Sequence, residues 1–407
     1  MKRFRFALAA MFLPAAIGSS AANLDSLTPV RWDPKWPLDL LRDTPFNCIV
    51  VSRVRLDSGY AQTALQRGIS VLTEGESGIA FPKEAMAPGI RLFAGGAVQA
   101  TPTSEPWIDS NLWLAGLLHA RGEVAWLGYK LESPSAVDYL RAIADAAAAG
   151  GHWVVSPDDR LAAGLASAEP KAKELWRQIA AAARFFEEHA EWRRFRPIGP
   201  LGILHTDTEM GETLNLIARR KIPYRLLDHA ALSPQGLADF SAVLAVGCTL
   251  TDSEKAVLTT FARGGGLAIV GPDWGGTVVK DKDFEVRDAG KGRVAVYSDN
   301  EPDPESLSKD VLYLMGKNNL GVRLFHAVTV LPVVRESSDG RKLLIHLVNY
   351  ATEPADAVMI RLAGEFRGAR LYGLDGATAA LELEKSEQVT QVQIPTVPVY
   401  AAVVLER

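Results

Sequence analysis

Residues 242–270 read Ala242-Val-Leu-Ala-Val-Gly-Cys-Thr-Leu-Thr-Asp-Ser-Glu-Lys-Ala-Val-Leu-Thr-Thr-Phe-Ala-Arg-Gly-Gly-Gly-Leu-Ala-Ile-Val270. Two continuous apolar runs, Ala242–Val246 and Leu267–Val270, flank a charged stretch ended by three glycines. The runs predict buried parallel strands, and the stretch between them predicts a helix over 253–263 stopped by Gly264-Gly265-Gly266. Working outward, Leu201–Leu204 and Tyr224–Leu227 read as strands, with a helix over 212–220 between them. Residues 200–276 thus form a Rossmann-like or flavodoxin-like α/β unit.

The segment before it repeats the alternation more loosely. Candidate strands are Asn47–Val51, Ile69–Leu72, Arg91–Ala94, Val124–Leu127 and His152–Val155. Ser135–Ala149 is an Ala-rich helix closed by Gly150-Gly151, and a longer helix is predicted over 171–191. Strands spaced by helices predict a parallel layout. After residue 277 the pattern alternates in Arg293–Tyr297, Lys342–Leu347, Val358–Leu362 and Ala401–Leu405. With turn signals at Ser-Asp-Gly340 and Leu-Asp-Gly376, it predicts an antiparallel β-sandwich interrupted by one helix, Pro304–Met315.

The chain has 407 residues, 48% hydrophobic and 23% charged, with a net charge of -4. That length and balance exclude a disordered or fibrous chain and a multi-span membrane protein. Lys and Arg form no basic stripe, so no nucleic-acid partner is expected. Residues 1–22 read as a secretory signal: Lys2, Arg3 and Arg5 precede an apolar run of 12 residues, Phe6–Ile17, and Ser20-Ala21-Ala22 offers a cleavage site. A secreted or periplasmic location, with no membrane attachment after cleavage, is the expectation. Two cysteines, Cys48 and Cys248, lie in or beside apolar runs and are expected to be buried free thiols. The seven histidines form no His-x-x-x-His pair, and no metal or cofactor is expected.

The three-part order resembles family 42 β-galactosidases and related secreted glycosidases. The residues that carry the likeness are Arg220-Lys-Ile-Pro-Tyr-Arg-Leu-Leu227, Leu258-Thr-Thr-Phe-Ala-Arg-Gly-Gly-Gly-Leu267, Leu344-Ile-His-Leu-Val-Asn-Tyr350, and Val124-Ala-Trp-Leu127 followed by Ala147-Ala-Ala-Gly-Gly-His-Trp-Val-Val155. The resemblance implies an α/β plus β chain. Its parts would be a shortened or degenerate (β/α) barrel over 23–197, a flavodoxin-like, class I amidotransferase-like domain over 198–280, and a C-terminal β-sandwich over 281–407. It also implies a carbohydrate partner and self-association through the 198–280 domain.

Three departures bear on chemistry. Residues 24–196 number 173, against roughly 200–250 for a full barrel. The position that the resemblance assigns to the nucleophilic Glu is Gly128, and no Asn-Glu dipeptide occurs before residue 200. The amidotransferase elbow Gly-x-Cys-x-Gly reads Gly271-Pro-Asp273-Trp-Gly275 here, and a carboxylate cannot form a thioester.

In a (β/α) barrel, working residues follow the carboxyl ends of strands. By that rule the candidate catalytic acids are Glu74, Glu76 and Glu132. Trp107, Asp109, Asn111, Tyr129 and Asp158 would bind substrate. Aromatic faces stack on a pyranose, amides and carboxylates bind hydroxyls, and two carboxyl groups perform hydrolysis. Each residue has a plainer role open to it. Glu74 and Glu76 fit solvated loop acids, Trp107 a core anchor, Asp109 a cap on a helix over 110–119, and Asp158-Asp159 a cap on the next helix. A glycoside hydrolase with displaced carboxylates, a non-catalytic glycan-binding protein and an assembly protein all remain open.

Overall fold

The computed structural model describes residues 24–52, 57–75, 81–101, 105–205, 210–275 and 282–407. The N-terminal segment is built on five short parallel strands. Their spatial order is Trp126–Leu127, His152–Trp153, Pro29–Arg31, Cys48–Val51 and Ser70–Thr73. A single parallel bridge, Val30 to Val155, joins the second strand's chain to the third, and the Arg31 N–H donates to Val155 O at 2.8 Å. Pro29–Arg31 carries no apolar run, which is why the sequence pattern does not reveal it.

The arc does not close into a barrel among the described residues. Its outer strands, Trp126–Leu127 and Ser70–Thr73, do not pair with each other. The reason lies in residues 89–109. The expected parallel strand at Arg91–Ala94 is instead part of an antiparallel meander, in which Gly89–Ile90 pairs with Ile108–Asp109 and Leu92 bridges Val98. Gly95 and Gly96, at φ 102° and 86°, take the left-handed turn that sends the chain straight back. Among the described residues of this segment no crossover helix forms, and no further parallel strand is added there.

Alternate residues of the five strands face opposite ways. Val30, Ile49, Val51, Leu127 and Val155 pack against the helices in the largest core. Cys48, Val50, Trp126 and Val154 form a smaller cluster with Leu27 on the other face. Helix Ala136–Ala148 begins at a capping box between Ser135 and Asp138, and helix Pro170–Glu188 buries Trp176, Ile179, Phe185 and Phe186.

The middle sheet has six strands in the order Tyr224–Leu227, Leu201–Leu204, Ala242–Ala245, Leu267–Val270, Gly292–Tyr297 and Phe284–Ala289. All neighbours are parallel except the last pair. Gly292–Tyr297 is therefore a strand of this sheet, lying parallel to Leu267–Val270, and not a strand of the sandwich as its alternation suggested. Helix Pro304–Met315 packs on the same sheet and against helix Gly211–Arg219.

The sandwich has a four-stranded and a six-stranded antiparallel sheet, the latter including Val330–Glu336, Lys342–Asn349 and Tyr400–Glu406. One face of the larger sheet closes the sandwich core, and Leu331, Leu344, Val348 and Tyr400 on the other face join the core of the N-terminal helices. Leu343–Asn349 is buried on both faces, so its burial does not alternate, and His346 and Asn349 are buried with its apolar residues. Cys48 and Cys248 are buried thiols outside any disulfide, and burial pushes the Cys48 thiol up to about 12. No helix among the described residues is long and apolar enough to cross a membrane.

Candidate functional site

Parallel strands share a direction, so their trailing loops share one rim. Glu74 follows strand Ser70–Thr73, where its backbone N–H donates to Val51 O at 3.1 Å. Its carboxylate pairs at 2.9 Å with Arg31, at the end of Pro29–Arg31. The Arg31 guanidinium lies 5.6 Å from the centre of the Phe81 ring, a cation–π geometry. Phe81 in turn covers Gly128, the residue after strand Trp126–Leu127. A Cβ at Gly128 would lie 2.6 Å from Phe81 ring carbons. The structure thus brings Glu74, Arg31, Phe81 and Gly128 together, and an aromatic ring fills the space that a side chain at 128 would need.

The other expected residues have definite places. Glu76 lies outside the described residues. Glu132 is exposed. Tyr129 stacks on Trp153 at 5.5 Å and its backbone oxygen accepts from the Trp153 Nε1–H at 3.2 Å. The Tyr129 hydroxyl is buried without a partner, and burial raises its pKa well above the usual phenol value. Asp158 caps helix Asp159–Ala166 by accepting the Leu161 N–H at 3.1 Å, as the plainer reading expected, and also accepts from the Tyr139 hydroxyl at 3.0 Å.

Trp107, Asp109 and Asn111 sit on the meander that meets the middle unit. The Trp107 ring has two guanidinium groups against it, with Arg91 at 5.0 Å and Arg219 at 4.6 Å from the ring centre. Arg219 Nη2 donates to Pro106 O at 3.1 Å and Asn215 Nδ2 donates to Ile108 O at 3.0 Å, which fastens the meander to helix Gly211–Arg219. Asp109 holds Arg91 through two hydrogen bonds and does not cap the following helix, Leu112–Ala120. Asn111 is 1% exposed, donates to Met86 O at 2.7 Å and to Asp145 at 3.0 Å, and accepts the Met86 N–H at 3.0 Å. Every polar atom of its side chain is occupied within the fold.

Asp145, which the sequence did not single out, completes that network. It accepts from Asn111 and, at 2.6 Å, from the hydroxyl of Tyr350 in the C-terminal unit. Complete burial pushes its carboxyl above the ordinary 3.8, while these hydrogen bonds pull it down in part. Its position inside an Ala-rich helix, four residues after Arg141, was the available signal. Arg141 also crosses the boundary, donating to Asn349 O at 3.3 Å and Ala351 O at 2.8 Å.

Beside the rim, Asp158 lines an open groove of ≈ 540 Å³ together with Ser135, Arg160, Glu169 and Lys171. Its walls are the starts of helices Ala136–Ala148, Asp159–Ala166 and Pro170–Glu188, so residues bearing carboxylate, ammonium, guanidinium and hydroxyl groups line one space. That donor and acceptor mixture suits polyhydroxylated ligands.

No protein-family model and no curated protein matches the sequence. Solved structures with a similar fold do exist. Against α-L-fucosidase isoenzyme 2 from Paenibacillus thiaminolyticus the TM-score is 0.54 at 11% identity, covering 90% of this chain and 78% of that one. A family 42 β-galactosidase of G. stearothermophilus gives 0.46 at 11% identity, covering 86% of this chain and 66% of that one. The β-galactosidase of Bacillus circulans sp. alkalophilus gives 0.46 at 10% identity, covering 88% and 63%, so this chain spans under two thirds of that enzyme's length. The likeness is one of fold: the chain has a glycoside hydrolase-like scaffold, with an open arc of strands where a barrel was expected.

Proposed function

We propose that this protein binds a carbohydrate on a glycosidase scaffold without hydrolysing it at the strand ends. One observation carries the reading: the Phe81 ring fills the space over Gly128, and the carboxylate beside it, Glu74, is engaged by Arg31. Hydrolysis needs an acid and a nucleophile or base ~5–9.5 Å apart across a sugar. A glycine against a ring supplies neither. Carbohydrate enters through the scaffold's likeness to a fucosidase, and the groove at Asp158 offers the polar surface for binding.

The test pairs catalysis with binding. Purified protein is assayed against 4-nitrophenyl glycosides, and in parallel on a glycan array. The proposal expects no release of nitrophenol above the blank and retained glycan signal that Asp158→Ala or Arg160→Ala reduces. Turnover lost in Glu74→Gln would establish the hydrolase instead. Export belongs to the same reading, and terminal sequencing of the exported protein is expected to begin near Ala22 or Asn23. Self-association through residues 198–280 is likewise part of the proposal, and sedimentation velocity reads it directly.

A further inference from the structure

We infer that the middle unit holds a site for an acidic saccharide at the amino ends of its parallel strands. A cavity of ≈ 710 Å³ opens there, beside the starts of Leu267–Val270 and Gly292–Tyr297 and the ends of helices Asp252–Arg263 and Pro304–Met315. That volume falls within the roughly 300–1,000 Å³ of small-molecule sites. Leu237, Val257 and Phe261 give it apolar surface, and Ser241, Thr260 and Asn319 are lining residues with hydroxyl and amide groups. The half-buried Phe261 ring packs over Gly266, where a Cβ would lie 2.3 Å from it, so glycine at 266 admits the ring.

Charge selects the ligand. Lys291 and Arg293 line the cavity, and no Asp or Glu is among the described residues that do. Both are exposed, so a ligand can reach them. Asp288 stands opposite Arg293 in the strand register but does not line the space. Among the described residues no ion pair engages Lys291 or Arg293.

The two helix ends would oppose an anion if their carbonyls were open, because a helix carboxyl end is a negative pole. They are engaged instead. Thr260 O accepts the Gly264 N–H at 3.0 Å, Phe261 O the Gly266 N–H at 3.1 Å, Ala262 O the Gly265 N–H at 3.0 Å and Arg263 O the Lys291 N–H at 3.0 Å. In the second helix Leu314 O accepts from Arg293 Nη2 at 3.0 Å and Met315 O from Asn319 Nδ2 at 2.7 Å. The acceptors are committed within the fold, and the charge left to meet a ligand is positive.

The chemistry of the occupant follows. A carboxylate accepts from guanidinium and ammonium in charge-assisted bonds. Ring hydroxyls suit Ser241 and Thr260, and the apolar face of a pyranose suits an aromatic side chain such as Phe261. A sugar acid presents all of these on one small body. The sugar part of the assignment rests on the carbohydrate binding proposed above, whereas the cavity shares no residue with the groove at Asp158.

Digalacturonate is the probe in calorimetric titrations of the full chain at about 0.1 M salt. Its dimethyl ester is the neutral counterpart, and inorganic phosphate is an anion without a sugar. Saturable digalacturonate binding is expected, with the ester and phosphate each at least about tenfold weaker. The double variant Lys291→Gln, Arg293→Gln is expected to weaken the acid by the same factor. Arg263→Gln removes an exposed cation that does not line the cavity and should leave affinity unchanged. Lys291→Gln alone, at an exposed hairpin turn, keeps the test if the double variant fails to fold. Absence of digalacturonate binding overturns the inference, and a persisting glycan-array signal would then leave the proposed function standing. Equal affinity for the ester or phosphate, an equal loss in Arg263→Gln, or a loss in Asp158→Ala in place of the cavity variants also overturns it.

Discussion

Gly128 shows how one missing side chain shapes the strand ends. A Cβ placed on it would lie 2.6 Å from Phe81 ring carbons, closer than packed carbons approach. Gly128→Ala is expected to destabilise the fold by about 1–3 kcal/mol through overpacking, read by urea unfolding. Adding Phe81→Ala should remove most of that increment; an additive pair would show that the contact is not what excludes the side chain. Charge acts at the same scale, at Glu336. Burial pushes its carboxyl up, but hydrogen bonds from Arg407 and Arg196 outweigh burial and leave it below the ordinary 4.5. A lowered carboxyl stabilises fully above the unfolded value and is lost as pH falls through the folded one. Stability should thus fall below pH 4.5, and Glu336→Gln should flatten that acid limb. An acid limb unchanged in the variant would refute the assignment. Asp145 has the opposite sign: burial raises it, so its ionisation opposes folding as pH rises above the ordinary 3.8.

Elements were legible where local chemistry agrees with the tertiary setting. Tyr224–Leu227, Leu267–Val270 and Pro304–Met315 match their expected bounds. Helix Asp252–Arg263 owes its start to a capping box, with Thr251 accepting the Glu254 N–H at 3.3 Å and Glu254 accepting the Thr251 N–H at 2.7 Å. Thr251→Ala should cost about 1 kcal/mol, seen as a lowered midpoint in thermal unfolding, and no change would show the cap to be idle. Legibility failed where pairing is long-range. Arg293–Tyr297 has a pattern that suits either a sandwich or a parallel sheet, and only its partner Leu267–Val270 decides. Pro29–Arg31 is too short to carry a period, and the meander at 89–109 looked parallel because only its apolar run was visible. The candidate site shared that limit. The sequence offered Asp158 its capping role correctly, but the roles of Trp107, Asp109 and Asn111 are set by Arg219, Arg91 and Asp145, all distant in the chain.

At the scale of the molecule, one apolar core runs from the N-terminal helices through the middle sheet to the larger sheet of the sandwich. Arg141, Asp145 and Arg335 add polar fastenings across the same boundaries. Calorimetry should accordingly show a single unfolding transition, and two resolved transitions would mean that these contacts do not couple the units. Trp107, Asp109 and Asn111 likewise have their partners within the fold, and the central claim is the proposal that the strand ends do not hydrolyse glycosides. Its most direct test is the release of nitrophenol from 4-nitrophenyl β-galactoside, α-L-fucoside and α-L-rhamnoside by the purified protein. The account predicts rates equal to the buffer blank for wild type and Glu74→Gln alike. Enzymatic turnover by wild type that disappears in Glu74→Gln would contradict it.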